Sequence, residues 1–216
     1  MGVAPGYSSA MRTVEVFADI LCPFTHVGLH TLIDRRSERG LTEPRLHIRA
    51  WPLELVNGQP LDAHHIGAEI TALRASVRPD LFGGFSVDTF PVTSMVAFAL
   101  TAAADRRGDP VLAEEVGMAL RNAVFEEGLD IGLPDVVEPI AARFGLDPLD
   151  VDATAAAVRA DWEDGRARGV IGSPHFFTGD DESWFCPGLD ISRDDVGNFI
   201  VSWKPGSEAL VESVFG

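Results

Sequence analysis

Apolar and polar residues alternate near the start of the chain. Over residues 12–20 the apolar side chains recur in steps of two from Val14 to Ile20, while Phe17 points to the opposite face. Apolar residues on both faces are typical of a strand in the middle of a sheet. This run therefore predicts a central strand.

A helix and a second strand follow. Cys22 and Pro23 end the first strand, and proline is well tolerated in the first turn of a helix. Apolar residues then continue at helical spacing as far as Gly40. Residues 45–51 alternate again and predict a second strand. The two strands should run parallel because a helix separates them.

The middle of the chain has a different pattern. Residues 60–168 have a helical period, are rich in alanine, leucine, valine and acidic residues, and contain no convincing strand. Glycine and proline divide this stretch into about five predicted helices.

The last part of the chain predicts strands and helices again. Two short aromatic runs, at residues 175–179 and 183–188, flank a turn and predict a β-hairpin. Residues 192–202 have helical spacing and predict a helix with one apolar face, made of Val196, Phe199, Ile200 and Trp203. A final short helix is predicted over residues 206–215.

Charge and composition limit the kinds of partner that we expect for this protein. The 216 residues are 46% hydrophobic, enough to bury a core in one domain carrying an insertion. A net charge of −16 repels phosphate backbones and anionic membrane surfaces, so we expect neither nucleic acid nor a membrane as a partner. No apolar stretch approaches the roughly 18 residues of a membrane span, and the first ten residues lack the features of a secretory signal. A cytoplasmic location is the expectation.

The chain holds two cysteines, Cys22 and Cys186, too far apart in sequence for a disulfide framework or a zinc motif. The adjacent pair His64 and His65 has no nearby cysteine or carboxylate that would complete a ligand set, so we predict a solvated helix start there and no metal site. For Cys186 we favour packing in the core or at a sheet edge, with a redox role as the alternative.

The order of these elements, with a cysteine opening the first helix and a proline opening the third strand, resembles the DsbA-like branch of the thioredoxin fold. This group includes cytoplasmic DsbA-like oxidoreductases, 2-hydroxychromene-2-carboxylate isomerases and kappa-class glutathione transferases. The resemblance runs from residue 12 to about residue 203. It is carried by DILCPFTHVG at 19–28, WPLEL at 51–55, FEEGLDI at 125–131 and GVIGSPHFF at 169–177.

The resemblance implies an α/β thioredoxin fold with a helical insertion between the second and third strands. Residues 12–59 and 169–216 would form the thioredoxin-fold domain, residues 60–168 the inserted helical domain and residues 1–11 a mobile tail. It also implies that Pro174 is in the cis form. Related proteins with a helical insert are often dimers, so a homodimer is compatible with the resemblance.

Cys22 is the candidate nucleophile. Unpaired N–H groups and the helix dipole favour negative charge at a helix N-terminus, so the thiol pKa should fall below its free value of about 8.5. Thr25, one turn later, could donate a hydrogen bond to the sulfur, and His26 could add positive charge. We therefore predict Cys22, Thr25 and His26 as the catalytic group.

The resemblance also implies a binding site for a small thiol or disulfide substrate. Ser173 would offer its backbone N–H and C=O to an extended thiol substrate, and Asp190 and Ser192, at the start of the predicted helix, would hold the charged end of a tripeptide thiol. The helical insert would form a lid over the cysteine. Apolar candidates for lining the cleft are Pro23, Phe24, Trp51, Phe82, Phe85, Phe90 and Met95.

Position 25 separates three candidate functions. Disulfide-forming relatives have their second cysteine where this chain has Thr25, whereas the isomerases and transferases lack it but tend to have serine in place of Cys22. The leading hypothesis is a thiol-dependent oxidoreductase that uses Cys22 without a Cys-X-X-Cys pair. The alternatives are a thiol-dependent isomerase or transferase and a non-catalytic binding protein. We expect no tightly bound cofactor; a low-molecular-weight thiol such as glutathione or mycothiol would take part.

Overall fold

Two parallel strands and the helix between them form the first part of the fold. The computed structural model describes residues 13–178 and 182–216, so the predicted tail at residues 1–11 lies outside the described residues. Strand β1 (Thr13–Ala18) pairs in parallel with β2 (Arg45–Ala50), and α1 (Pro23–Glu38) connects them. The predictions for this part are confirmed.

Two further strands complete a four-stranded sheet of order β2-β1-β3-β4. Strand β3 (His175–Phe177) runs antiparallel to β1, and β4 (Ser183–Phe185) runs antiparallel to β3. The β3–β4 hairpin confirms the prediction from the aromatic runs, and most of its predicted turn lies outside the described residues.

Helices cover both faces of the sheet. On one face Val16 and Phe176 pack against α1 and the final helix α8 (Ala209–Phe215). On the other face Phe17 packs against Trp51 and Trp162. Apolar residues on both faces explain why β1 reads as a central strand.

The segment between β2 and β3 is helical, as its pattern predicts. Its helices are α2 (Leu53–Asn57), α3 (Ala63–Ser76), α4 (Met95–Asp105), α5 (Pro110–Phe125), α6 (Pro134–Arg143) and α7 (Val151–Ala167), with a 3-10 turn at Val87–Thr89. None of the helices in the described ranges is long and apolar enough to cross a membrane. The division into two domains stays a prediction.

The helix predicted over residues 192–202 is wrong. The chain there forms an antiparallel hairpin of β5 (Leu189–Arg193) and β6 (Phe199–Trp203). The carboxylate of Asp194 accepts hydrogen bonds from the backbone N–H groups of Val196 and Asn198, and Gly197 takes a φ of 91° that suits glycine. This turn reverses the chain where the apolar spacing alone suggests a continuous helix.

The β5–β6 hairpin packs against α3. The hydroxyl of Ser76 donates to the carbonyl of Val201. Leu189 and Val201 are buried in one apolar cluster with Ile70 of α3 and with Leu21, the residue before Cys22. Leu189 and Trp203 also border one small pocket together with Val27 and Gly28, so the hairpin lies beside α1.

Candidate functional site

Cys22 is the N-cap residue of α1, at the end of the sheet where β1 stops. Its thiol donates a hydrogen bond to the carbonyl oxygen of Ser173 over 3.3 Å. The side chain is buried, with 3% of its surface exposed. The structure thus brings the candidate nucleophile against the residue before Pro174, and the Ser173–Pro174 bond is cis.

The hydroxyl of Ser173 connects three parts of the site. It accepts a hydrogen bond from the backbone N–H of Asp19 at 2.9 Å and lies 2.8 Å from the hydroxyl of Thr25. The Ser173 carbonyl, which we expected to be available to a substrate, accepts from Cys22 instead. In this conformation the polar groups of Cys22, Thr25 and Ser173 bond to one another.

The prediction that Cys22 has a lowered pKa is wrong for this conformation. Burial raises the thiol pKa above its ordinary value, and hydrogen bonds from Thr25 and Ser173 counteract this only in part. The helix terminus favours the thiolate, but removing the sulfur from water favours the neutral thiol more strongly. Cys22 is therefore held here as a protonated thiol that donates to a carbonyl.

His26 does not supply positive charge to Cys22, contrary to the prediction. Burial lowers its pKa to about 4, so the ring is neutral at physiological pH. Its Nε2 lies 2.8 Å from a carboxylate oxygen of Glu126, and its ring packs between Phe82 and Phe125. We assign the Nε2–H tautomer, which donates to the carboxylate and leaves the buried Nδ1 without a partner among the described residues.

Glu126 anchors the segment that follows α3. Its carboxylate also accepts hydrogen bonds from the backbone N–H groups of Phe82 and Gly83, at 2.7 and 3.0 Å. Burial raises the Glu126 pKa, but the bonds from His26, Phe82 and Gly83 outweigh it and lower the pKa to about 2. His26 and Glu126 thus position the inserted helices against α1.

A buried charge pair lies beneath Cys22, and the sequence analysis did not single it out. Asp19 accepts hydrogen bonds from the backbone N–H groups of Leu21 and Leu53, and burial raises its pKa to about 6. Arg121 of α5 is fully buried and donates to the carbonyls of Gly117 and Asp19. A carboxylate directly after an apolar strand, and an arginine on an apolar helix face, are the signals that could have identified the pair.

Replacing Arg121 tests this pair. Arg121→Met removes the cation that lowers the Asp19 pKa, so that pKa should rise further above about 6. An uncompensated buried carboxylate costs about 3 kcal/mol of unfolding free energy, and less when it is protonated. We expect the variant to lose more stability at about pH 8 than at about pH 5 in urea unfolding.

A second substitution supplies the control. Asp19→Asn in the Arg121→Met background removes the titrating group, so the difference between the two pH values should disappear. An equal loss of stability at both pH values in the single variant would contradict the assigned coupling.

The residues expected to bind substrate are partly dispersed. Pro23 lies in the first turn of α1 beside the site, and Phe24 packs partly buried against the main core cluster. Trp51 is buried against Phe17 on the opposite side of the sheet, so its assignment to the cleft is wrong.

The resemblance implies that Asp190 and Ser192 lie at the start of a helix, and this prediction is wrong. Both lie exposed on β5, because the predicted helix is a strand of the hairpin. A strand offers no cluster of unpaired N–H groups to hold a charged end of a tripeptide thiol.

The predicted lining residues divide between the core and two open pockets. Phe82 and Phe90 are buried in the main cluster. Phe82 and Phe85 also border a groove of about 690 Å³ along α3, and Met95 borders a pocket of about 580 Å³ between α4, α6 and α7. Cys22 borders neither of these two spaces, and its side chain is buried.

His64 and His65 lie exposed in the first turn of α3, where the sequence predicts a solvated helix start. Within residues 13–178 and 182–216, no group of three histidine, cysteine, aspartate or glutamate residues is placed to hold a metal ion.

Comparisons with known proteins agree on the fold. The model of the DSBA-like thioredoxin domain family matches residues 13–193. No curated protein is similar enough in sequence to match the chain.

Three solved structures illustrate the similarity. The cytosolic disulfide reductase DsbM from Pseudomonas aeruginosa with GSH is 20% identical, with 76% of this chain and 84% of that chain covered and a TM-score of 0.54. A 2-hydroxychromene-2-carboxylate isomerase is 16% identical, with 80% and 88% covered and a TM-score of 0.53. A probable DsbA oxidoreductase from Streptomyces coelicolor is 19% identical, with 76% and 79% covered and a TM-score of 0.53. At these identities the similarity establishes the fold alone.

Proposed function

Because the chain belongs to the DSBA-like thioredoxin domain family, we propose that it is a thiol-dependent oxidoreductase that acts through Cys22. The observation that carries the proposal is the position of the sulfur, at the N-terminus of α1 and 3.3 Å from the Ser173 carbonyl. An oxidoreductase needs its thiol at a site that can stabilise a thiolate, and a helix N-terminus is such a site.

The described conformation is the resting state of this proposed enzyme. Cys22 is buried and, with its raised pKa, protonated, and α3 and the β5–β6 hairpin pack in the apolar cluster that contains its neighbour Leu21. When these elements move aside, water reaches the sulfur and the largest cause of its raised pKa is removed. The hydrogen bonds from Thr25 and Ser173, which lower the pKa, then favour the thiolate.

The reaction is thiol–disulfide exchange. The Cys22 thiolate attacks one sulfur of a substrate disulfide, forms a mixed disulfide with it and releases the other sulfur as a thiolate. Thr25 cannot resolve this intermediate because it carries no thiol. A low-molecular-weight thiol supplies reducing equivalents; the DsbM neighbour with GSH makes glutathione the first candidate, and mycothiol is the second. The proposed setting is the reducing cytoplasm.

A thiol-dependent isomerase or transferase is the second candidate function. Thr25 favours it, because this hydroxyl contacts Ser173 and could activate the thiol of a bound cofactor. Turnover of an aromatic substrate that depends on added thiol, without disulfide exchange, would support this candidate. The burial of Cys22 favours a non-catalytic binding protein as the third candidate.

Mass spectrometry tests the leading proposal. The reduced protein is incubated with oxidised glutathione at neutral pH and then digested without reductant. We expect Cys22 to become oxidised, as a glutathione adduct or as a disulfide derived from it, slowly at neutral pH and faster as the pH rises toward the raised pKa. A protein whose Cys22 stays unmodified over hours would contradict the proposal and support the binding role.

A further inference from the structure

Cys186 lies directly across the sheet from Pro174. Its backbone N–H donates to the Pro174 carbonyl at 2.9 Å, which continues the β3–β4 pairing one step beyond His175 and Phe185. Hydrogen-bonded partners on antiparallel strands have Cα atoms about 5.5 Å apart. Because Cys22 donates to the carbonyl of Ser173, the two cysteines contact consecutive carbonyl groups of the same segment.

Pro174, which Cys186 contacts, packs against α1. The Pro174 ring lies 3.8 Å from the position that a β-carbon on Gly28 of α1 would take. Cys186 is buried in the same apolar cluster as Leu21, the residue before Cys22, and Val27 of α1. Both cysteines therefore lie near Pro174 and the first turns of α1.

Charge effects agree with this placement. Burial is the main cause that raises the Cys186 pKa, to about 12, and the next cause is the negative charge that Cys22 would carry. The carboxylate of Glu69 on α3 raises the pKa of both thiols, whereas Lys204 lowers that of Cys186. The two sulfurs therefore lie within range of each other's charge and of the Glu69 carboxylate.

The backbone at Cys186 is unusual. Its φ is 41°, in the left-handed region that non-glycine residues rarely adopt, and Gly188 has a φ of 83°. Residues 186–188 connect β4 to the β5–β6 hairpin, so Cys186 lies at the turn between β4 and β5.

From this geometry we propose that Cys186 is the resolving thiol for Cys22. The inference rests on the proposed thiol–disulfide exchange and extends it by a second step. After Cys22 has formed a mixed disulfide with the substrate, Cys186 loses its proton to solvent and its thiolate attacks the Cys22 sulfur. The bond between Cys22 and the substrate breaks, and the substrate leaves as a thiolate. The substrate disulfide is thereby reduced to two thiols, and the protein is oxidised to a Cys22–Cys186 disulfide.

A glutathione-dependent reductant then completes the cycle. Two molecules of reduced glutathione convert the internal disulfide back to two thiols and become oxidised glutathione. A disulfide between Cys22 and Cys186 would also leave the hairpin tied to the start of α1 at the end of each substrate reduction. The missing second cysteine at position 25 would thus be replaced by one that is distant in sequence and close in space.

Mapping of disulfides in the full-length protein tests the inference. After treatment with a limiting amount of oxidised glutathione, the wild-type protein should lose two hydrogen atoms and yield a Cys22–Cys186 peptide pair without a lasting adduct. In Cys186→Ser the glutathione adduct on Cys22 should persist, and multiple-turnover reduction of a disulfide substrate should fall about tenfold or more. Cys186→Ala provides a second variant of different polarity, and far-UV circular dichroism checks that both are folded.

The outcomes separate this inference from the proposed function. If wild type and Cys186→Ser accumulate the same stable Cys22 adduct, Cys186 is not the resolving thiol, while the proposed exchange chemistry stands. If neither an adduct nor an internal disulfide forms in the wild type, both proposals fail. The wild-type measurement decides this even if both variants fold poorly.

Discussion

Replacing Cys22 with serine should lower disulfide reduction by at least about a hundredfold, because an alcohol is not ionised near neutral pH and is a far weaker nucleophile than a thiolate. The fold should remain intact, since a serine hydroxyl at this position can still donate to the Ser173 carbonyl. The measurement is glutathione-dependent reduction of a small disulfide, with the unfolding free energy as a check on folding.

This substitution also separates the two enzymatic hypotheses. The isomerases and transferases that the chain resembles tend to have serine at this position, so an enzyme of that kind should tolerate Cys22→Ser. Cys186→Ser is the comparison variant: it removes a buried thiol but leaves the first attack possible, so its loss should be about tenfold, against about a hundredfold for Cys22→Ser. Undiminished reduction by Cys22→Ser would exclude Cys22 as the nucleophile.

The local pattern of apolar and polar residues was sufficient to predict most strands of the four-stranded sheet. The step of two around Phe17 and the helical spacing after Pro23 predicted β1, α1 and β2, because each element buries its own apolar residues. The prediction for residues 192–202 is wrong because Phe199, Ile200 and Trp203 fit a helical face and a strand equally well. The hydrogen bonds of Asp194 settle the matter in favour of a turn, and that signal was present in the sequence.

The site could be predicted in position but not in its electrostatics. The resemblance implied that Cys22 would lie near Ser173, and the two residues are in contact. The expected pKa depended on the helix terminus, Thr25 and His26, whereas burial of the sulfur has the opposite and larger effect. Burial of this kind depends on segments distant in the chain, which local patterns do not reveal.

Contacts between side chains that are far apart in the sequence could not be predicted either. His26 was predicted to be a cation because the residues near it in the chain do not show that it is buried or that it contacts Glu126, one hundred positions later. The same holds for Arg121, which contacts Asp19 only when α5 packs against β2. One sequence shows which residues are chemically able to act, and the tertiary packing decides whether they are charged.

Glu126→Ala should destabilise the fold by about 2 to 3 kcal/mol. The substitution leaves the buried His26 ring and the partly buried backbone N–H of Phe82 without their acceptor, and each unsatisfied buried donor costs about 1 kcal/mol or more. The N–H of Gly83 also loses its acceptor, but it is exposed and can bond to water. Glu126→Gln should lose less, because its amide oxygen can still accept. The measurement is urea unfolding at about pH 7.

The same pair predicts how acid unfolds the protein. The folded pKa of His26 is depressed to about 4 and that of Glu126 to about 2, so both stabilise the fold above their unfolded pKa values. That stability is lost as the pH falls from about 6.5 through 4 for His26 and from about 4.5 through 2 for Glu126. Glu126→Ala should therefore show a shallower decline than wild type below about pH 4.5, whereas Glu127→Ala, at the exposed neighbouring position, should match wild type throughout. Parallel acid curves for wild type and Glu126→Ala would rule out the assigned carboxylate as the group that titrates.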